Sequence, residues 1–422
     1  MCRDDVWKRI FPQLRVPPRR GARDTYCTMM PSKVLARAAA TFWLMAMLLD
    51  GQASSAAGAL DAGGEECRIV PQLPSHVQLN NGVSIPRIGF GTAGLGQATE
   101  EAVAVALTAG YRHIDTAQAQ EWYREEAVGR ALKQATSTKT DLSPREKEGE
   151  SFTTMSGATL LPREHVFVTT KIHPRDFGAE RLGAMVEASS SNLQGVDLLL
   201  LHAPFCWPGS CPVNPAPWQD AWLQLEDLYS KGAVRAIGVS NFSESLLQEL
   251  LGMATVAPAA VQNWMDPFHQ DRAVRALCAE HGIAYIAYST LGGQWAHRTS
   301  SSSSSNPVST DPILITIASA HGTSVQTVAL SWALQSGAII LPRSSNLDRI
   351  KGNHQAFMKD DAAFSSLRDR GDRQSEDGGD GGDSAKQRRG TAGESNNGVV
   401  VQVFLTVDDM RAVDRLDGSI GN

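Results

Sequence analysis

Residues 234–289 read VRAIGVSNFSESLLQELLGMATVAPAAVQNWMDPFHQDRAVRALCAEHGIAYIAYS. Three short runs rich in Val, Ile and Ala, namely VRAIGVSN, AAVQN and IAYIAYS, alternate with two helical patterns, ESLLQELLGMA and DRAVRALCAEHG. The runs are apolar without alternation, as expected of parallel strands covered on both faces. The second helical pattern closes on Gly282, a common residue just past a helix C-terminus.

The same alternation extends in both directions. Upstream lie IPRIGFGT, YRHIDT, VFVTTK and VDLLLLH, and downstream lies AIILPRSS, which makes eight strands. The helical patterns between them include TEEAVAVALTAG, EEAVGRALKQ, AERLGAMVEASSSNL, WQDAWLQLEDLYSKG and SVQTVALSWALQSG. Eight such strands predict an α/β fold, a (β/α)8 TIM barrel. Before the first strand, VQLNNGVSI carries Asn81-Gly82, a type I′ turn signal, and predicts a short N-terminal β-hairpin that plugs the barrel. Gly89, Gly91 and Gly94 also match the dinucleotide fingerprint G-x-G-x-x-G, with Asp115 about twenty residues on. In that fold the glycines open directly into a helix, whereas Leu95 to Ala98 intervene here, so the barrel is the better reading.

The length of 422 residues suggests two or three domains until three kinds of segment are set aside. Residues 1–37 hold nine Lys/Arg against three Asp and lead into AAATFWLMAMLL and a small-residue A-x-A at Ala57-Gly58-Ala59. This is a leader pattern over residues 1–75, pointing to the secretory pathway, the ER or organelle import, with a cytoplasmic protein as the alternative. Residues 135–161, 299–310 and 360–398 are polar or serine-, glycine- and aspartate-rich and read as insertions. What remains of 76–422 is roughly 270 residues, close to the ~250 of one barrel. A net charge of −6 argues against a nucleic-acid partner. The apolar run is too short for a stable membrane span. The chain is expected to act as a monomer.

Polar residues fall at the C-terminal ends of the strands, where barrel active sites are built: Asp115, Lys171, His202, Ser240, Asn241, Gln262, Tyr288, Arg343 and Ser344. The stretches LNNGVSIPRIGFGTAG, AGYRHIDTA, EEAVGRAL, VFVTTKI, VDLLLLHAP, VRAIGVSNF, VQNWMDPF, IAYIAYSTLG and ILPRSSNLDRIKGN together resemble the aldo-keto reductase family. The resemblance implies reduction of an aldehyde or ketone to an alcohol with NADPH, NADH use remaining open. It implies a catalytic quartet of Asp115, Lys171, His202 and a tyrosine. The family tyrosine follows the Asp by five positions. In DTAQAQEWYREEAVG that spacing falls on Gln120, and counting back from EEAVG falls on Trp122. Tyr123 is the phenol at hand and is taken as the general acid. An ordinary phenol has a pKa of about 10, so the Lys171 ammonium is expected to lower it, with Asp115 holding the lysine. His202 is expected to orient the substrate oxygen.

By the same resemblance, Ser240, Asn241 and Gln262 hold the nicotinamide carboxamide, Tyr288 stacks on its ring, and Gly91, Thr92, Ser289 and Leu291 also bind the cofactor. Arg343 and Ser344 grip the 2′-phosphate, and Arg349 and Asn353 meet the adenine. Arg343 stands where the family has Lys and keeps the charge while adding a bidentate fork. Trp122, Trp207 and His202 are expected to wall the substrate pocket, with Trp264 and Trp295 as further candidates. The short ending DGSIGN suggests an open pocket for a small carbonyl. Cys206 and Cys211 are read as free loop thiols by default, or as a disulfide in an oxidising compartment; no metal is expected. Two other readings are a Schiff-base lyase or isomerase using Lys171 and a non-catalytic NADPH-sensing subunit.

Overall fold

A computed structural model of the chain describes residues 72–136, 161–211, 216–298, 306–358, 400–402 and 404–419. The expected leader over 1–75 therefore lies outside the described residues except for 72–75, and the expected insertions at 135–161, 299–310 and 360–398 lie outside them except for 135–136, 161 and 306–310.

Strand β1 (Gln72–Pro74) precedes the hairpin β2 (His76–Gln78) and β3 (Ser84–Pro86). The hairpin turn differs from the expected type I′. Leu79 O accepts from Gly82 N, Leu79 N donates to Val83 O, and only Gly82 takes a left-handed φ, +86°. This is a type I turn followed by a left-handed glycine, which satisfies the same Asn-Gly pair with one positive φ instead of two.

Eight parallel strands follow: β4 (Phe90–Gly91), β5 (His113–Asp115), β6 (Phe167–Ile172), β7 (Leu198–Leu201), β8 (Ala236–Ser240), β9 (Ala260–Trp264), β10 (Ala284–Tyr288) and β11 (Ile339–Ile340). Each pairs with the next in sequence order. A parallel bridge between Ile88 and Ile340, with Gly89 N donating to Ile340 O at 2.8 Å, joins last to first and closes the barrel. Helices α1 (Thr99–Thr108), α2 (Glu125–Thr136), α3 (Ala179–Leu193), α4 (Trp218–Ser230), α5 (Glu244–Met253) and α6 (Arg272–Glu280) connect successive strands.

The run Leu198–Leu201 shows why these strands are apolar throughout. Leu198 and Leu200 join an interior cluster that includes Leu79 and Ile85 of the hairpin, so the plug is part of the barrel core. Leu199 and Leu201 point the other way and pack with Trp222 and Leu225 of α4. Period-two side chains thus serve two apolar layers.

Between β10 and β11 the chain forms α7 (Trp295–Arg298), α8 (Pro307–Thr310), α9 (Pro312–Ala320) and α10 (Val325–Gln335). Residues 306–310 were expected within an insertion, but Asn306 caps α8 and Val308 is buried. At the first insertion, Thr136 still belongs to α2 and is buried. After β11 come α11 (Leu347–Gln355), β12 (Val400–Gln402), which pairs antiparallel with β1, and α12 (Val407–Asp414), opened by a Thr406–Asp409 capping box. Among the described residues no single helix is long and apolar enough to cross a membrane.

Helices α2 and α3 meet through Gly129, where an added Cβ would overlap the Asn192 carbonyl oxygen, whereas Gly183 on α3 has open space around it. Gly129→Ala is expected to lower unfolding stability by about 1–3 kcal/mol. Gly183→Ala is expected to raise it by up to about 1 kcal/mol. Urea unfolding of the two variants checks this, and an unchanged midpoint for Gly129→Ala contradicts the close packing.

Candidate active site

Lys171, the fifth residue of β6, is almost wholly buried and is surrounded by acceptors. Its Nζ donates to Asp115 Oδ1 at 2.7 Å and to the Thr116 carbonyl at 2.8 Å. The other Asp115 oxygen accepts from Gln262 Nε2 at 2.7 Å, and Thr92 donates through N and Oγ1 to the Asp115 carbonyl. Strands β4, β5, β6 and β9 are thereby tied at one end of the barrel. Burial pulls the Lys171 ammonium below its ordinary pKa, while the Asp115 carboxylate pulls it back up.

The Tyr123 ring lies 5.1 Å from Lys171 Nζ and 5.7 Å from the His202 ring. The loop explains why this aromatic reaches the lysine. Trp122 N and Tyr123 N both donate to Ala119 O at 2.9 Å, which closes a tight turn. Gln120 and Glu121 are pushed out to solvent, Arg175 holds Glu121 at 2.6 Å, and Arg124 donates to the Tyr123 carbonyl. Tyr123 ends 9% exposed and Trp122 39%. The inner position therefore belongs to Tyr123, and neither Gln120 nor Trp122 occupies it.

The expected lowering of the Tyr123 pKa does not hold. Burial and then the Asp115 carboxylate raise it, with Arg343 pulling it down. The carboxylate that anchors Lys171 thus acts on the phenol in the sense opposite to the expected one.

Tyr123, His202, Asp115 and Gly91 line a cavity of about 640 Å³, together with Trp122, Trp207, Ser240, Asn241, Gln262, Tyr288, Ser289, Leu291 and Arg343. Thr92 is buried and does not line it. Asn241 and Ser289, each just past a strand, take left-handed φ of +59° and +56°. A network fixes this wall: Tyr288 OH donates to Asn241 Oδ1 at 2.6 Å, Asn241 Nδ2 to His202 O at 2.8 Å, and Ser240 Oγ to Gln262 O at 2.7 Å. Ser344 and Arg349 sit outside the cavity, next to the N-terminus of α11, where Ser344 Oγ accepts from Asn346 N; Asn353 is half-buried farther along that helix.

Three expectations change. Trp264 and Trp295 do not line the cavity: their indole N–H groups donate to buried Asp266, each at 2.9 Å, and Trp264 stacks on His269. Cys206 and Cys211 are not free thiols but form a disulfide. Gln262 holds Asp115 through its amide N–H, a role the sequence did not suggest. Gln294 and Thr290 were also missed; both line the cavity, and Thr290 Oγ1 is buried there without a hydrogen-bond partner. No group of metal-ligating side chains occurs among the described residues.

Residues 87–369 match the model of the aldo/keto reductase family. The chain is 34% identical over 285 residues to a 9,11-endoperoxide prostaglandin H2 reductase of Trypanosoma cruzi, covering 67% of this chain and 85% of that one. It is 30% identical over 305 residues to aldo-keto reductase family 1 member A1 of Mus musculus, covering 67% and 84%. A Bombyx mori aldo-keto reductase solved in complex with NADP superposes with a TM-score of 0.60 at 24% identity, covering 83% of this chain and 94% of that one.

His202 is buried, and burial with the Lys171, His173 and Arg175 charges holds its pKa well below 6.5; burial pushes His113 and His173 down to about 4. In the unfolded chain each takes up a proton near its ordinary value of about 6.5. Their contribution to stability is therefore complete above that value and is lost as pH falls toward the folded values. The urea midpoint is expected to drop from pH 7 to pH 5, with His202 ring resonances unmoved. A rising midpoint would mean that Glu125 and Asp266, whose raised pKa values act in the opposite sense, dominate.

Proposed function

The chain belongs to the aldo-keto reductase family and is an oxidoreductase, and we propose that it reduces an aldehyde or ketone with NADPH, Tyr123 delivering the proton. The observation that carries this reading is a buried phenol against the Lys171–Asp115 pair and His202, on the wall of one cavity. Tyr288 is a second phenol on that wall, but its O–H is engaged by Asn241.

The residues present fit a nicotinamide dinucleotide. The unpartnered Thr290 hydroxyl, the Ser240 and Asn241 polar groups and the flat Tyr288 ring face one cavity. Gly91 lines the same cavity, and an added Cβ there would come within 3.2 Å of the Leu341 carbonyl, so a side chain is disfavoured. Arg343 stands at the edge as a fixed cation for a 2′-phosphate, with Ser344 beside it and Arg349 and Asn353 beyond. When bound, NADPH supplies the hydride.

The protein's part is then to orient and protonate. His202 is neutral, so one ring nitrogen donates a hydrogen bond to the carbonyl oxygen and polarises it. As charge develops on that oxygen, the Tyr123 O–H moves its proton there. The Lys171 ammonium beside the ring stabilises the phenolate left behind. Asp115 and the Thr116 carbonyl fix the ammonium in place. The same two hydrogen bonds disfavour a Schiff base at Lys171, since the amine is engaged and does not line the cavity. Residues 1–75 are read as a leader, and a disulfide suits an oxidising destination.

Tyr123→Phe is expected to cut kcat about 10²–10⁴-fold while leaving NADPH affinity within a few-fold; Trp122→Phe is expected to keep turnover. NADPH oxidation with a panel of carbonyls checks this, and the opposite ranking would shift the acid away from Tyr123. Arg343→Ala is expected to weaken NADPH more than NADH in direct binding, and equal loss for both would contradict the 2′-phosphate role.

A further inference from the structure

The loop after His202 reads APFCWPGSC over residues 203–211. Trp207-Pro208-Gly209-Ser210 is a tight turn: Ser210 N and Oγ donate to Trp207 O at 3.0 and 2.9 Å, and Gly209 takes φ +77°. Proline followed by glycine is the pair that a type II turn demands. Cys206 and Cys211 flank the turn and are joined, with Cα atoms 5.8 Å apart. On the near side Phe205 is 65% exposed, so packing there does not hold the loop down.

The clamped segment carries Trp207 over the reaction site. Its indole stands 5.0 Å from His202 and 4.9 Å from Trp122, both edge to face, and 5.2 Å from His173. Trp207, Trp122 and His202 share the cavity wall. Two crossed indoles beside the hydrogen-bonding histidine make an apolar slot suited to a flat ring attached to the carbonyl carbon.

We propose that the Cys206–Cys211 disulfide is a redox clamp that holds Trp207 as the roof of the substrate slot, giving a preference for aromatic carbonyls that reduction abolishes. The proposal rests on the carbonyl-reductase reading for the identity of the ligand. In the reducing step, a thiolate of an external dithiol attacks one cysteine sulfur and displaces the other as thiolate. The dithiol's second sulfur then attacks the mixed disulfide. The dithiol is oxidised to its own disulfide, and the two electrons and two protons end on Cys206 and Cys211 as thiols.

The test uses the full chain loaded with NADPH, before and after dithiothreitol, alongside Cys206→Ser/Cys211→Ser. The ratio of kcat/KM for benzaldehyde over propanal is expected to fall roughly three- to tenfold on reduction and in the double variant. In a Trp207→Ala background the same changes should leave the ratio unmoved, which a merely structural disulfide would not produce. Calorimetric binding of benzyl alcohol to the NADP-loaded protein gives a readout without turnover and should weaken by the same factor. A protein that turns over neither aldehyde fails the reductase reading, while the benzyl alcohol measurement still decides the clamp. Equal binding and equal ratios in oxidised and reduced protein overturn the proposal, as does alkylation of both cysteines before any reductant is added.

Discussion

A buried ion pair between Lys171 and Asp115 is the constraint around which the site is organised. An ammonium and a carboxylate withdrawn from water each carry a desolvation penalty of several kcal/mol, which is offset only when geometry and further hydrogen bonds are good. Here the ammonium has two acceptors, and the carboxylate also receives the Gln262 amide. Those partners come from the paired strands β5 and β6 and from β9, three strands beyond β6 in the sheet. Only a closed sheet brings them together, so the barrel is a precondition of the pair. Removing either partner would leave an uncompensated buried charge, at a cost of about 3–5 kcal/mol.

The pair also sets the protonation states around it. The Lys171 charge helps keep His202 neutral, and Asp115 helps keep Tyr123 protonated. A neutral imidazole and a neutral phenol are both hydrogen-bond donors, which is what a carbonyl oxygen gaining charge requires. The same anchoring keeps the Lys171 ammonium 5.1 Å from the Tyr123 ring.

The barrel was readable because parallel strands buried on both faces leave unbroken apolar runs, as in Leu198–Leu201, and because polar residues interrupt them only at one end. Asp115, Lys171 and His202 each terminate such a run or follow it directly, so their convergence followed from the fold. Tyr123 was harder because it sits on a loop, where spacing along the chain does not fix position in space. The turn at Ala119–Tyr123 brings the phenol inward by expelling Gln120 and Glu121, a choice made by backbone hydrogen bonds that leave no periodic trace. Trp264 and Trp295 could not be sorted from pocket aromatics for a related reason: their indoles are satisfied by Asp266, a contact set by tertiary packing. The Cys206–Cys211 bond depends on the Pro208-Gly209 turn bringing two sulfurs together and on redox environment, and composition reports neither. The phenol pKa was misjudged because a pairwise view counted Lys171 and left out both burial and the carboxylate paired with it.

The central claim is that the Lys171–Asp115 pair supports proton delivery by Tyr123 during NADPH-dependent carbonyl reduction. The most direct measurement compares wild type with Lys171→Met for NADPH binding by fluorescence and for NADPH oxidised per alcohol formed in a single turnover. The account predicts one NADPH consumed per alcohol in wild type, and in the variant retained NADPH binding with the rate reduced at least about 10²-fold. Wild-type rates in Lys171→Met, or NADPH binding by wild type without alcohol formation from any aldehyde or ketone supplied, would contradict it.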